Sequence, residues 1–381
     1  YPPRWTFGLP PWGMNAFWNN APGLANGHFP GRAELRLDMM MTMKVFEFQG
    51  LPWNLTFGGG EVGRLPRTLE QFGLRRALIL STPGRTRHAG MLQSVLGNYA
   101  AGLFAGAAVH VPSAVVEAAC RAAKDCGADC TVSIGGGSTT GLGKLLRKEV
   151  GLPQIAIPTT YAGSEMTPIW GVTTANVKRT GRDPQVLPVA VIYDPELLVA
   201  LPPAIAGPSA LNALAQAMAN ISTNPLVGLV AREAIRVLAD GLPQVMSDNN
   251  DVEAQAVMLH GACLAGAALG LGRSGLHHRL CHLLGGMYNL PHAETHAVIL
   301  PYSVAHIART APEDAGRIAA VLGGGGDAAV QVYGLLKKYC PRHSLQALGL
   351  TETDIESAVA AAGLDVHDAA DMGRVLLEAL A

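Results

Sequence analysis

Five histidines crowd into twenty residues: His277, His278, His282, His292 and His296. The chain holds twelve in 381 positions, so an even spread would put fewer than one there. Imidazole titrates near neutrality and is a common metal ligand, so such a cluster points to proton transfer, hydrogen-bond donation or metal chemistry. His278 and His282 are four apart and share one face of a helix. Asn212 and Gln216 repeat that spacing upstream. Two helices that each offer a polar pair can line one cavity. The stretch from Gly285-Gly286 to Pro291 reads as the loop that returns His292 to it.

A second set of residues suits a phosphate. From Cys130 to Lys144 the chain reads CTVSIGGGSTTGLGK, a strand, a glycine turn and a helix start. Gly135, Gly136 and Gly137 let the backbone approach a ligand closely. Ser138 and Thr139 are placed to cap the helix and to donate to phosphate oxygens, at an end that favours anions. The motif is not GxGxxG, so the ordinary dinucleotide-fold fingerprint does not apply. A second loop follows the next strand and supplies Thr159, Thr160, Ser164 and Thr167. Ser81, Thr82 and Pro83 end an earlier strand in the same manner. Small polar residues at three strand ends argue for one cofactor crevice.

These motifs need elements to hold them. Short apolar runs at residues 76–81, 103–111, 130–135, 154–158 and 189–193 predict strands, and helical spacing at 113–126 and 140–149 separates them. Alternation of this kind implies a parallel sheet covered on both faces. Beyond residue 201 the strand signal fades. Helices are expected at 210–222, 229–240, 251–269, 274–285, 328–339 and 352–361, the last behind a capping box formed by Thr351 and Asp354. The expected fold is α/β: a parallel-sheet nucleotide-binding domain at residues 44–200, then an all-helical domain at 201–381. Residues 1–43 form an atypical arm with Trp5, Trp12, Trp18 and six prolines. It lacks the pattern of a signal peptide. It reads as a mis-assigned start or vector sequence, or as an arm that packs on a partner subunit.

Hydrophobic residues make up 49% of the chain and charged residues 15%, which implies large buried cores. A net charge of −1 offers nothing to attract nucleic acid or a membrane surface. No apolar run reaches the length of a membrane span. The six cysteines form no CxxC pair and read as reduced thiols, which fits a cytoplasmic location.

The stretches GLHHRLCHLLGG at 275–286 and NLPHAETHAV at 289–298 resemble maleylacetate reductase, a branch of the iron-type alcohol dehydrogenases with the dehydroquinate-synthase-like fold. Residues 135–144, 157–167 and 187–197, with Tyr193-Asp-Pro, also match, and the resemblance runs from about Met43 to Ala381. It implies NADH or NADPH in a cleft between domains, and reduction of the enone of 2-maleylacetate to 3-oxoadipate during breakdown of aromatic compounds. The catalytic candidates are His278, His282, His292 and Asn212. A homodimer is also implied. In the iron-type relatives the metal is held at the positions of Asn212, Gln216, His278 and His292. Two of these are neutral amides here, so no catalytic metal is expected. Gln216 stands where the branch usually has His, Ala219 where it has Glu, and Val189 where it has Arg. Tyr161, Gln216, Arg273 and Arg279 are candidates for contacts to a dicarboxylate. Two alternatives are the same scaffold turned to another oxo or enone substrate or a non-redox step, and an inactive cofactor-binding subunit.

Overall fold

The computed structural model describes residues 45–324, 326–362 and 366–381. The amino-terminal arm, with the expectations attached to it, lies outside that range. Two compact units divide at Phe48 and Gln49. The described part of the first, residues 45–48, is exposed and without regular structure. Everything below concerns the second.

Six strands form one parallel sheet. They are β1 (Leu55–Phe57), β2 (Ala77–Leu80), β3 (Ala100–Phe104), β4 (Cys130–Gly135), β5 (Gln154–Pro158) and β8 (Ala190–Tyr193), in the order β1-β8-β5-β4-β2-β3. Every residue of the four inner strands is buried. This is why they read as apolar runs rather than as alternating ones. Ile79, Val132, Ile134 and Ile155 pack under helices α1 (Leu65–Gln71) and α2 (Thr86–Leu96). Leu78 and Leu80 face the other way, toward α3 (Ser113–Asp125) and α4 (Gly137–Val150). The third strand lies at 100–104 rather than at 103–111, because the chain after Phe104 turns off the sheet edge toward His110.

From β2 the chain moves outward to β3, then returns across β2 to β4. The order reverses there, which opens a crevice beyond the carboxyl ends of β2 and β4. Between β5 and β8 runs an antiparallel hairpin, β6 (Ile169–Thr174) and β7 (Val177–Arg182), that sequence reading missed. Its turn residues Ala175 and Asn176 have φ of 48° and 61°, as a tight two-residue hairpin loop requires.

The remainder is helical: α5 (Pro203–Met218), α6 (Pro225–Ser247), α7 (Val252–Leu271), α8 (Leu276–Tyr288), α9 (His292–Thr310), α10 (Pro312–Val321), α11 (Ala328–Tyr339), α12 (Glu352–Ala361) and α13 (Val366–Glu378). Asn224, Asp251 and Asp327 cap α6, α7 and α11 through their side chains, and Thr351 and Asp354 form the expected capping box. Among the described residues one helix, α7, is long and apolar enough to cross a membrane, yet 72% of that stretch is buried inside the fold.

The expected loop at 285–291 is largely helix. α8 runs through Gly285 and Gly286 to Tyr288, and α9 starts at His292. The glycines serve close approach rather than a turn. A Cβ on Gly285 would lie 2.6 Å from His110 Cε1, and one on Gly286 would lie 3.0 Å from Lys178 Cβ. The substitution Gly285→Ala adds helix propensity of about 1 kcal/mol. Because it must displace the His110 ring, urea denaturation is expected to show a net loss of about 1–2 kcal/mol.

Candidate active site

The glycine turn after β4 meets the N-terminus of α4. Gly135 has φ 145°, and a Cβ there would come within 2.8 Å of Thr139 Oγ1. A Cβ on Gly136 would meet Thr160 Oγ1 at 2.9 Å. A side chain at either position would collide with these threonines, so the turn forms a cradle of bare backbone at the cavity wall. Contrary to the expected cap, Ser138 and Thr139 lie inside the first turn of α4, and no side chain caps that end. A capping oxygen must precede the helix, and Gly136 has none to offer. The first amide groups of α4 are thus left for a ligand. Thr139 turns its hydroxyl back onto Gly136 O at 2.9 Å and does not line the cavity.

Lys144, one further turn along α4, is wholly buried. Its ammonium donates to Ser164 O at 2.6 Å, Thr167 O at 2.7 Å, Ile169 O at 2.9 Å and Thr167 Oγ1 at 3.0 Å. Burial pulls its pKa down to about 7. The Glu165 carboxylate acts in the opposite sense, and hydrogen bonds to the four oxygens also favour the ammonium. This clamp fixes the loop that carries Ser164 and Thr167 against the glycine cradle. Thr159 is held by its amide on Gly135 O at 2.9 Å, and its buried hydroxyl has no protein partner.

A cavity of about 480 Å³ opens over this cradle. On the sheet side it is lined by Thr82, Gly135, Gly136, Gly137, Ser138, Thr159, Thr160, Ser164 and Thr167. On the helical side it is lined by Asn212 and Gln216 of α5, His278 and His282 of α8, and His292 and His296 of α9. The structure brings most of the residues grouped by sequence spacing onto this one cavity. Tyr161 does not belong with them. Its ring is fully buried and its hydroxyl donates to Gln255 Oε1 at 2.5 Å, as a large aromatic with one polar tip does in a core. Arg273 and Arg279 lie in a neighbouring pocket of about 370 Å³, which shares Thr180 and His282 with the first. Arg279 pairs there with Asp368 at 3.3 Å. Tyr193-Asp-Pro is structural: the Asp194 carboxylate accepts from the amides of Gly60, Val62 and Glu196, each at 3.1 Å.

The imidazoles form one connected group. Ring centroids lie 4.5 Å apart for His292 and His296, 5.2 Å for His278 and His296, and 6.3 Å for His278 and His282. His110 joins from the loop before α3, 6.0 Å from His292, with its Nε2 on Leu290 O at 2.8 Å. Burial lowers every one of these pKa values, that of His278 to about 4, and the Lys178 ammonium adds to the effect on His278, His282 and His292. The cluster is neutral at pH 7. Lys178 itself projects from β7 into the cavity lining, and burial brings its pKa to about 8. Sequence reading missed Lys178 and His110. The alternation of Trp170–Thr174 and Val177–Arg182 around an Ala-Asn turn was the available signal for the hairpin.

Asn212, Gln216, His278 and His292 all meet at this cavity, but their chemistry does not fit a divalent ion. All four are neutral. Gln216 donates its amide to Ala162 O at 2.7 Å and leaves Oε1 buried and unpartnered. Among the described lining residues the acid is Glu294, whose carboxylate pairs with Arg342 at 3.0 Å. Lys178 already brings positive charge to the same wall. A neutral donor set beside a resident cation gives an ion no charge compensation.

Comparison with known proteins agrees with this architecture. Residues 52–195 match the iron-containing alcohol dehydrogenase profile, and residues 207–373 match that of the Fe-containing alcohol dehydrogenase family, C-terminal. The chain is 46% identical over 315 residues to maleylacetate reductase 2 of Cupriavidus pinatubonensis, covering 81% of this chain and 88% of that protein. It is 46% identical over 320 residues to maleylacetate reductase of Sphingobium indicum, covering 83% and 90%. The crystal structure of maleylacetate reductase from Agrobacterium tumefaciens superposes with a TM-score of 0.82 at 40% identity, covering 89% of this chain and 99% of that one.

Replacing the clamp by Lys144→Met leaves buried carbonyls without a donor. The expected cost is about 1–3 kcal/mol or more in chemical denaturation. Hydrogen exchange should accelerate selectively in residues 159–169.

Proposed function

From the premise that this chain belongs to the iron-containing alcohol dehydrogenase family, in its maleylacetate reductase branch, and is an oxidoreductase of aromatic-compound catabolism, we propose that it reduces the enone C=C of 2-maleylacetate to 3-oxoadipate with NADH or NADPH and without a metal ion. The observation that carries the reading is the single cavity in which an uncapped helix N-terminus and glycine cradle face a neutral imidazole wall and a lysine. The cradle fits the pyrophosphate of a dinucleotide, since Gly135–Gly137 bring bare backbone to the cavity wall beside an uncapped helix N-terminus. When bound, the dihydronicotinamide supplies the hydride.

The chain's own residues then have three tasks. Gly135–Gly137, Ser138 and Thr160 hold the nucleotide. Lys178, for which no carboxylate partner is found among the described residues, binds a carboxylate of the substrate. The imidazoles, neutral and largely removed from water, donate hydrogen bonds to the oxygen on which negative charge develops. In such a site the lysine stands in for the charge that a metal supplies elsewhere in the family. The enzyme is proposed to act in the cytoplasm as a homodimer.

The decisive assay follows NADH and NADPH oxidation with maleylacetate, with chelator and with added divalent metal. Turnover insensitive to both is expected. Metal-dependent turnover would refute the reading of Asn212 and Gln216.

The pH profile follows from the groups named. His278 is neutral above about pH 4, so no acid limb is expected at the ordinary imidazole value. Lys178 is charged below about pH 8 and loses its proton above, so KM for the dicarboxylate should rise through that pH. The variant Lys178→Met should raise KM on the order of tenfold or more and abolish that rise.

A further inference from the structure

His277, a member of the cluster with no role so far, does not line the cavity. It is buried, and both ring nitrogens are engaged. Its Nδ1 lies 3.0 Å from Ser303 Oγ and its Nε2 lies 3.0 Å from His296 Nδ1. His296 does line the cavity, and its Nε2 is buried with no protein partner. The chain Ser303–His277–His296 therefore runs from the interior of α9, through α8, to one unsatisfied nitrogen at the cavity wall.

Hydrogen-bond accounting gives this chain a direction. A neutral imidazole carries one N–H and one acceptor nitrogen. If Ser303 donates its hydroxyl proton to His277 Nδ1, then His277 donates from Nε2 to His296 Nδ1, and His296 carries its proton on Nε2. In the opposite direction His277 donates to Ser303 Oγ. The buried hydroxyl proton is then left without its one recorded partner, and an unmade buried bond costs about 1–3 kcal/mol. The first direction satisfies the Ser303 hydroxyl, both His277 nitrogens and His296 Nδ1, and denies an acceptor only to the weak S–H of Cys281, 3.7 Å from His277 Nε2.

We propose that His296 is the hydrogen-bond donor to the substrate's ketone oxygen, held as the Nε2–H tautomer by His277 and Ser303 acting as positioning residues. This rests on the enone-reduction reading above. In that reaction the hydride forms a C–H bond at the carbon β to the ketone and the nicotinamide is oxidised. The C=C pair shifts, the ketone becomes an enolate, and the α carbon takes a proton from water. The charge gathers on the ketone oxygen, so a fixed N–H aimed there acts on the transition state more than on bound substrate. The spacing of His278, His282 and His292 alone does not single out such a donor: both nitrogens of His278, and Nδ1 of His292, are buried without a protein partner.

The test has two readouts. In 15N spectra of protein labelled in its histidines, the signals lost in His296→Phe identify that ring, which should be the Nε2–H tautomer before any substrate is added. Ser303→Ala and His277→Phe should shift it toward Nδ1–H or a mixture. His277→Gln should preserve it, because the Gln amide accepts from Ser303 and donates to His296. In kinetics, His296→Phe should lower kcat on the order of 10²-fold with KM for maleylacetate little changed. Ser303→Ala and His277→Phe should lower kcat with the same pattern, and His277→Gln should restore most of it. Nucleotide binding, followed by NAD(P)H fluorescence, shows that each variant is folded. An Nδ1–H tautomer for His296 overturns the proposal, as does a His296→Phe enzyme with unchanged kcat. So does one tightly bound zinc per chain that is lost in Cys281→Ser, because His277, Cys281 and His296 have ligand atoms within 4.8 Å of one another. If the unaltered chain fails to turn over maleylacetate while the tautomer pattern holds, the substrate reading fails and the positioning chain stands.

Discussion

The buried ammonium of Lys144 is the contact on which the site's geometry rests. One charged group joins the helix behind the glycine cradle to three backbone carbonyls, those of Ser164, Thr167 and Ile169. The last of these is the first residue of β6, so the clamp also sets where the hairpin leaves the sheet. That hairpin carries Lys178 to the histidines. A lysine with no exposed surface is tolerable because four oxygens replace its hydration.

The helical half reaches the same point by a different device. Gly285 and Gly286 strip α8 of side chains where His110 and the hairpin press against it. Backbones can then approach, and the space between sheet and helices narrows to a cavity lined from both sides. Burial at that seam explains the electrostatics. Rings removed from water take up no second proton at neutral pH, and Lys178 enforces this by repelling further positive charge. The wall becomes a set of neutral donors next to one fixed cation, suited to an anionic substrate whose charge grows during reaction.

Asn212 and Gln216 offer an ion only neutral amides, and Gln216 also has a packing role. Gln216 still fills its place and holds Ala162 O, so α5 remains docked on the loop after β5. These amides bring no charge to the site while keeping it packed.

The sequence alone determined the cradle, the histidine cluster and the order of most elements. Each of these is local: glycines at a strand end, imidazoles one helical turn apart, apolar runs of strand length. The family resemblance was legible for the same reason, in contiguous motifs. Tertiary structure decided what each residue faces. Tyr161 looked like a site residue by its place between Thr160 and Ser164, but the turn after β5 buries its ring in the helical core, where its hydroxyl reaches Gln255. Lys178 and His110 carried no signal of their own in the sequence, and the hairpin and the turn before α3 bring them to the cluster. His277 and His296 stand nineteen positions apart, and only helix packing puts their nitrogens at hydrogen-bond distance. Contacts between elements depend on crossing geometry that no short window of sequence encodes, so the roles of these residues became visible only in the fold.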